Sequence, residues 1–193
     1  MTTLATAQIR MDHMHVITLF HRYKPDSSPR TKEGIVRNIS AALEIHAQLE
    51  EEIFYPALRS AGIDTEVVDK SVPEHDEIRR LIGELRTIEP TDGSYDDTFM
   101  ALMREVIHHA ADEETYLLPD AERLLADRLP EIGRAMTRRR MELVKPRAGE
   151  LASSFAEAAS NKSMLIAGGA ALAGAYIIGR ALTRNGDAGQ HHS

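Results

Sequence analysis

Apolar residues recur at helical spacing along nearly all of residues 1–147. Ile9, Val16, Ile17 and Phe20 share one helical face, and the pattern breaks at Pro25 and Pro29. Ile35, Ile39, Leu43, Leu49 and Ile53 mark a second, longer helix ending near Gly62, in which Pro56 is expected to kink or locally break the rod. Ser71-Val-Pro-Glu74 has capping-box spacing with proline just inside the start, which predicts a third helix with Ile78, Leu81, Ile82 and Leu85 inward. Pro90 and Asp92-Gly93 close it. A fourth helix is predicted from about Asp96 through Leu102, Val106 and Leu117, kinked at Pro119, and a shorter fifth follows Pro130. Nothing alternates as a strand would. The pattern therefore predicts an all-α, up-and-down four-helix bundle with a short fifth helix.

Composition then sets the chemistry. The 193 residues suit one domain of moderate size with an appendage, and 42% hydrophobic residues can fill a core. The net charge of −7 argues against a nucleic-acid partner. Cysteine is absent, which excludes disulfides, thiolate zinc and iron–sulfur clusters. Any metal must be held by nitrogen and oxygen, and the chain has nine histidines and thirty carboxylates.

Charge also divides the chain. Arg134, Arg138, Arg139, Arg140, Lys145 and Arg147 against Glu142 make 134–147 a basic stretch, after which the composition changes. We place the bundle at 1–147, a linker at 148–163, an apolar Gly/Ala-rich C-terminal helix at 164–182 and a disordered tail at 183–193. Residues 164–179 carry no charge, but a full membrane span needs about 20 apolar residues. Three roles compete for this helix: a short membrane anchor, a self-association helix, and a helix folded back on the bundle. The N-terminus has no apolar run after a basic start, so the expected location is cytoplasmic, with membrane association depending on 164–182.

The chemistry resides in a repeat. His46-Ala-Gln-Leu-Glu50-Glu-Glu-Ile-Phe-Tyr-Pro56 on the second helix is matched by His109-Ala-Ala-Asp-Glu113-Glu-Thr-Tyr-Leu-Leu-Pro119 on the fourth. Asp12-His13 and Glu74-His75 match on the first and third. His13 precedes His46 by 33 residues and His75 precedes His109 by 34. Residues four apart lie on one helical face, so His46 and Glu50 fall in an apolar stripe, as do His109 and Glu113. His13 and His75 lie in the stripes of their own helices. Four imidazoles and two carboxylates thus point at one bundle axis. A buried carboxylate must pair, take up a proton or bind a cation. Mutual His–Glu hydrogen bonding is the rival for a single pair, but this doubled, twofold-ordered set favours two metal ions with the glutamates between them, iron first among the candidates.

These motifs resemble the hemerythrin-like cation-binding family over about residues 5–145. The resemblance implies a four-helix bundle with a non-heme diiron centre acting on O₂ or related small molecules. Its ligands would be His13, His46, Glu50, His75, His109 and Glu113, with two carboxylate- and oxo- or hydroxo-bridged irons. Two departures count against a reversible oxygen carrier. Such carriers have His-x-x-x-His on the third helix, where His75 here has Ser71 and Arg79 at those offsets. Their fourth helix has Asp five residues after His, where this chain has Glu at +4 and +5. The expected function is binding or reduction of O₂, peroxide or nitric oxide, with catalase- or peroxidase-like decomposition of peroxide the specific expectation. The alternative is a non-enzymatic iron sensor or store.

Three further residues are candidates for additional ligands or outer partners. His108 reproduces the +5 spacing to Glu113, Glu105 lies one turn before His109, and Tyr116 lies two turns after it, where core is its expected setting. Glu51, Glu52 and Glu114 are read as solvated groups or as acceptors for histidine N–H groups. Rival motifs fail: one Glu105-x-x-His108 lacks the counterpart a ferritin-like site needs, and His-Glu-x-x-His, P-loop and Gly-x-Ser-x-Gly sequences are absent.

Overall fold

A computed structural model describes residues 3–63 and 66–147 of the chain. Among them every regular element is helical, as the periodicity predicts: α1 (Ala5–Phe20), α2 (Pro29–Leu49), α3 (Tyr55–Ser60), α4 (Glu66–Leu85), α5 (Gly93–Asp112), α6 (Leu118–Leu124) and α7 (Leu129–Val144). α2 and α3 form one rod joined by a π-helical turn, Glu50–Phe54; α5 and α6 form another through the π turn Glu113–Leu117. With α1 and α4 these rods make the four-helix bundle, in which α1 packs on α2, α4 on α5, and the α1–α5 and α2–α4 contacts close the ring.

Local chemistry accounts for the boundaries. Ser28 caps α2 by accepting from the Thr31 N–H, with Pro29 at the first helical position. Gly62 takes the left-handed conformation, φ 74°, that ends the α2–α3 rod. Asp92 caps α5, accepting from Ser94 N–H at 2.9 Å. One start differs from expectation: α4 begins at Glu66, a turn and more before Ser71, and Pro73 lies inside it. Ser71 is not a cap. Its hydroxyl is buried and donates to the Val67 carbonyl at 2.7 Å, the back-bond available to a serine inside a helix.

The apolar side chains form two clusters. Phe20, Ile39, Leu81 and Phe99 belong to one; Ile9, Leu49, Phe54, Leu117 and Met136 belong to the other. Between the clusters lies a polar layer holding His13, His46, Glu50, His75, His109 and Glu113, all buried.

The fifth helix, α7, is as long as α1 at 16 residues, where the sequence pattern predicts a shorter one. It covers the α1–α2 side of the bundle. Gly133 makes that approach possible, because a Cβ there would collide with the Thr3 carbonyl oxygen. Gln8 pins the contact by donating to the Gly133 carbonyl at 2.8 Å. Among the described residues no helix is long and apolar enough to cross a membrane. The linker at 148–163, the apolar segment 164–182 and the tail 183–193 lie outside the described residues.

Because the Gly133 contact is backbone against backbone, neither side can yield cheaply. Gly133→Ala is expected to destabilise the fold by about 1–3 kcal/mol, measured by urea unfolding. A neutral result would mean that α7 is not held at this distance.

Candidate metal centre

The repeat of the sequence becomes a repeat of geometry. Each proline removes a backbone donor and crowds the carbonyl four residues before it. Each is preceded by a π turn, in which the Tyr55 N–H bonds the Glu50 carbonyl and the Leu118 N–H bonds the Glu113 carbonyl. Both π turns thus begin on the inward glutamate. Wide turns of this kind occur frequently at functional sites.

The wide turn has a consequence for register. Residues eight after the histidine face inward: Phe54 is wholly buried and Leu117 nearly so. Those seven after it are turned off the axis, Ile53 to a half-buried position and Tyr116 to 61% exposure. Tyr116 is therefore neither core nor a partner of the site, which corrects the sequence expectation. Tyr55 holds the place beside the centre instead. Five residues after Glu50, it donates from its hydroxyl to Glu113 Oε1 at 2.8 Å and stands 3.1 Å from Glu50 Oε2. Sequence reasoning missed Tyr55. The signal was present in Tyr-Pro, since a proline-induced π turn stacks residue i+5 over residue i.

The four imidazoles fall into two pairs. Ring centroids are 4.9 Å apart for His13–His46 and 4.6 Å for His75–His109, against 6.2–6.3 Å for His46–His75 and His13–His109. Each glutamate reaches both pairs. Glu50 Oε2 lies 3.2 Å from His46 Nε2 and 3.4 Å from His75 Nε2. Glu113 Oε2 lies 3.4 Å from His13 Nε2 and 3.6 Å from His109 Nε2. Two four-residue groups have ligand atoms close enough to hold an ion, His13–His46–His109–Glu113 and His46–Glu50–His75–His109.

The outer nitrogens are held by a closed circuit of acids. Asp12 on α1 faces His46 on α2 at 3.5 Å, and Glu51 accepts from His75 on α4 at 2.8 Å. Glu74 on α4 accepts from His109 on α5, and Glu114 accepts from His13 on α1, each at 2.9 Å. Every helix of the bundle thus orients the histidine of the next. This explains why the motifs read Asp-His, Glu-His and Glu-Glu: in each dipeptide one residue points inward and its neighbour steadies another helix. Arg140 holds Asp12 at 3.0 and 2.6 Å, and Arg79 holds Glu51 at 2.7 and 2.8 Å. Glu52 pairs with Arg139 away from the site. Glu105 is half-buried and lies outside both ligand groups, and His108 is exposed.

This outer circuit commits the Nδ1 proton of His13, His75 and His109 to a carboxylate, which leaves Nε2 facing inward as an electron-pair donor. His75 Nε2 and His109 Nε2 are only 3.1 Å apart. That spacing turns two ring nitrogens of the same kind toward each other, an arrangement a shared cation would satisfy. His13 Nε2, His46 Nε2, Glu50 Oε1 and Glu113 Oε2 are buried with no hydrogen-bond partner. So many inward acceptors and so few donors fit a cation; a self-satisfied core would balance them.

The metal-free electrostatics agree. Burial, then the charge of Glu113, pushes Glu50 well above the usual carboxylate range. Burial also pushes Glu113 up, but His13, 3.4 Å from its Oε2, with the imidazoles of His109 and His46, outweighs it and brings Glu113 down to about 2. The two buried carboxyls are thus driven in opposite directions, Glu50 toward its neutral form and Glu113 toward its charged form. Burial opposes charge on His13, yet Glu113 and Glu50 raise it to about 9. Burial keeps His46 down at about 4 despite Asp12. Beyond the imidazoles on one side is a cavity of about 10 Å³, near the size of one water, bordered by Val16, Leu43, Ile78 and Val106.

Comparison with known proteins agrees with this geometry. Residues 4–121 match the model of the hemerythrin HHE cation-binding domain. The described fold resembles the crystal structure of a hemerythrin HHE cation-binding domain-containing protein from Mycobacterium kansasii, with TM-score 0.62 and 22% identity over 77% of this chain and 92% of that one. A DNA nickase from Nostoc sp. is 32% identical over 112 residues, 56% of this chain; the match spans only 31% of that relative's length.

These opposed shifts give an asymmetric prediction for chelator-treated protein. Glu50→Gln puts a neutral amide where burial already drives the carboxyl toward its neutral form, and should change stability by less than about 1 kcal/mol. Glu113→Gln strands the charge on His13 and should cost about 3–5 kcal/mol. Equal costs in denaturant unfolding would contradict the opposed shifts of the two carboxyls.

Proposed function

Since the chain belongs to the hemerythrin HHE cation-binding domain family, we propose that its centre holds two iron ions and that the protein reacts with O₂, nitric oxide or, most specifically, hydrogen peroxide. One observation carries this reading: two histidine pairs, His13–His46 and His75–His109, with Glu50 and Glu113 each within reach of both. One ion would sit at each pair, with the carboxylates between them. Bound iron supplies the redox chemistry and an open position for a small molecule.

The protein's own groups do the rest. The outer acids fix the tautomers of His13, His75 and His109 and raise their basicity. Val16, Leu43, Ile78 and Val106 border the cavity with aliphatic side chains, so this wall favours a small apolar molecule such as O₂ or nitric oxide, while hydrogen peroxide would rely on the polar groups of the centre itself. On the other side Tyr55 bridges the two glutamates through its hydroxyl and is placed to hold or pass a proton there. The Nostoc relative's nicking of DNA finds no support in this acidic chain, whose net charge is −7.

Two measurements test the proposal. Elemental analysis of protein purified without affinity metals should find about two irons per chain, lost in the His46→Ala, His109→Ala variant, with steady-state peroxide decomposition by the loaded wild type only. Iron without turnover would assign the chain to sensing or storing iron; no iron in a folded wild type would reject the centre. Metal uptake at pH 7 should also release at least one proton, from His13, which stands at about 9 without metal. Calorimetry in buffers of different ionisation enthalpy reads this directly, and no release would contradict the assigned protonation.

A further inference from the structure

The two halves of the repeat match inside the bundle and differ outside it. Asp12 and Glu74 occupy equivalent places, each preceding a site histidine and facing another. Ile45 and Leu49 on α2 correspond to His108 and Asp112 on α5, one and five positions after residues 44 and 107 in their repeats. In the first half α7 covers this face, Ile45 and Leu49 are buried beneath it, and Arg140 neutralises Asp12. In the second half the residues beside Glu74 are His108, 67% exposed, and the half-buried Asp112. His108 Nε2 lies 3.9 Å from Asp112 Oδ2, and one ligand atom from each of Glu74, His108 and Asp112 lies within 4.8 Å of the others. Lys70, the cation nearby on α4, is engaged with Glu66 at 2.9 Å.

We propose that Glu74, His108 and Asp112 form a second, surface site for a divalent transition-metal ion, which takes the place that the Arg140 guanidinium takes at Asp12. One imidazole and two carboxylates, completed by water, suit Mn²⁺, Fe²⁺ or Zn²⁺. An arginine is a fixed cation; a metal ion at the equivalent place comes and goes. Glu74 uses Oε2 to accept from His109 at 2.9 Å, and its other oxygen is available to the ion. The site is thus one carboxylate away from the buried centre, a position suited to receiving a cation before it moves inward. Sharing Glu74 also couples the two sites: an ion on Glu74 weakens its hold on the His109 proton, so each occupancy changes the affinity of the other reciprocally. The site rests on the asymmetry of the repeat and on these three side chains, whichever metal the buried centre holds.

The test uses the full chain carrying His191→Ala and His192→Ala in every sample, so that the two tail histidines cannot contribute. Protein is exposed to ferrous iron in air, desalted and titrated with Mn²⁺, bound ion being read from water-proton relaxation. The site predicts one Mn²⁺ equivalent whose affinity falls at least tenfold in His108→Ala and in Asp112→Asn, with iron content unchanged. Equal Mn²⁺ binding by parent and variants overturns it, as does a loss of iron with no change in Mn²⁺. If the parent takes up no iron, the reading of the buried centre fails separately, and the variants must still lose one Mn²⁺ equivalent relative to the parent for the surface site to stand.

Discussion

Two glutamates with no solvent exposure, Glu50 and Glu113, impose the constraint on which the rest of this structure depends. Taking an ionised carboxylate out of water costs several kcal/mol unless charge and hydrogen bonds replace the lost hydration. Both sit between two apolar clusters that offer neither. The compensation comes from four imidazoles, the Tyr55 hydroxyl and, outside these, a ring of four acids that fixes each imidazole. Without metal the layer balances imperfectly, with Glu50 pushed toward its neutral form and His13 toward its charged one. A bound cation meets the same groups with charge and without those protons, which is why the arrangement favours metal over mutual hydrogen bonding.

The ring of acids makes the centre a property of the whole bundle. Asp12, Glu51, Glu74 and Glu114 each leave the helix that carries them and orient an imidazole of the next, from α1 to α2 to α4 to α5 and back to α1. A shift of any one helix therefore misaligns a histidine on its neighbour. The two arginines extend this outward: Arg79 ties Glu51 to α4, and Arg140 ties Asp12 to α7. α7 thus acts on the centre from a distance, through the position of one guanidinium, and breaks the twofold symmetry of the repeat by covering only one of its two outer faces.

Much of this was legible in the chain. The helical period placed His13, His46, His75 and His109 in apolar stripes, and the His-x-x-x-Glu spacing placed Glu50 and Glu113 beside two of them; the structure brings all six together. Helix ends followed where a proline or glycine acts through its own backbone, as at Gly62; the caps at Ser28 and Asp92 were seen only in the structure, which starts α5 at Gly93 and not near Asp96. The start of α4 did not follow, because Ser71 and Pro73 carry a start signal that the packing of Val68 into the core overrides.

The sequence by itself thus determined which faces of which helices are inward and which ligand types meet there, since both depend on a period that each helix carries alone. Tertiary structure decided the partners and the register. Whether Glu51 and Glu114 are solvated or hold a histidine depends on the neighbouring helix, which no local pattern specifies. The π turns moved the inward position from Ile53 and Tyr116 to Phe54 and Leu117, and brought Tyr55 over Glu50. A single residue added to one turn rotates everything after it by about 100°, and that rotation is fixed by what the following side chains can pack against.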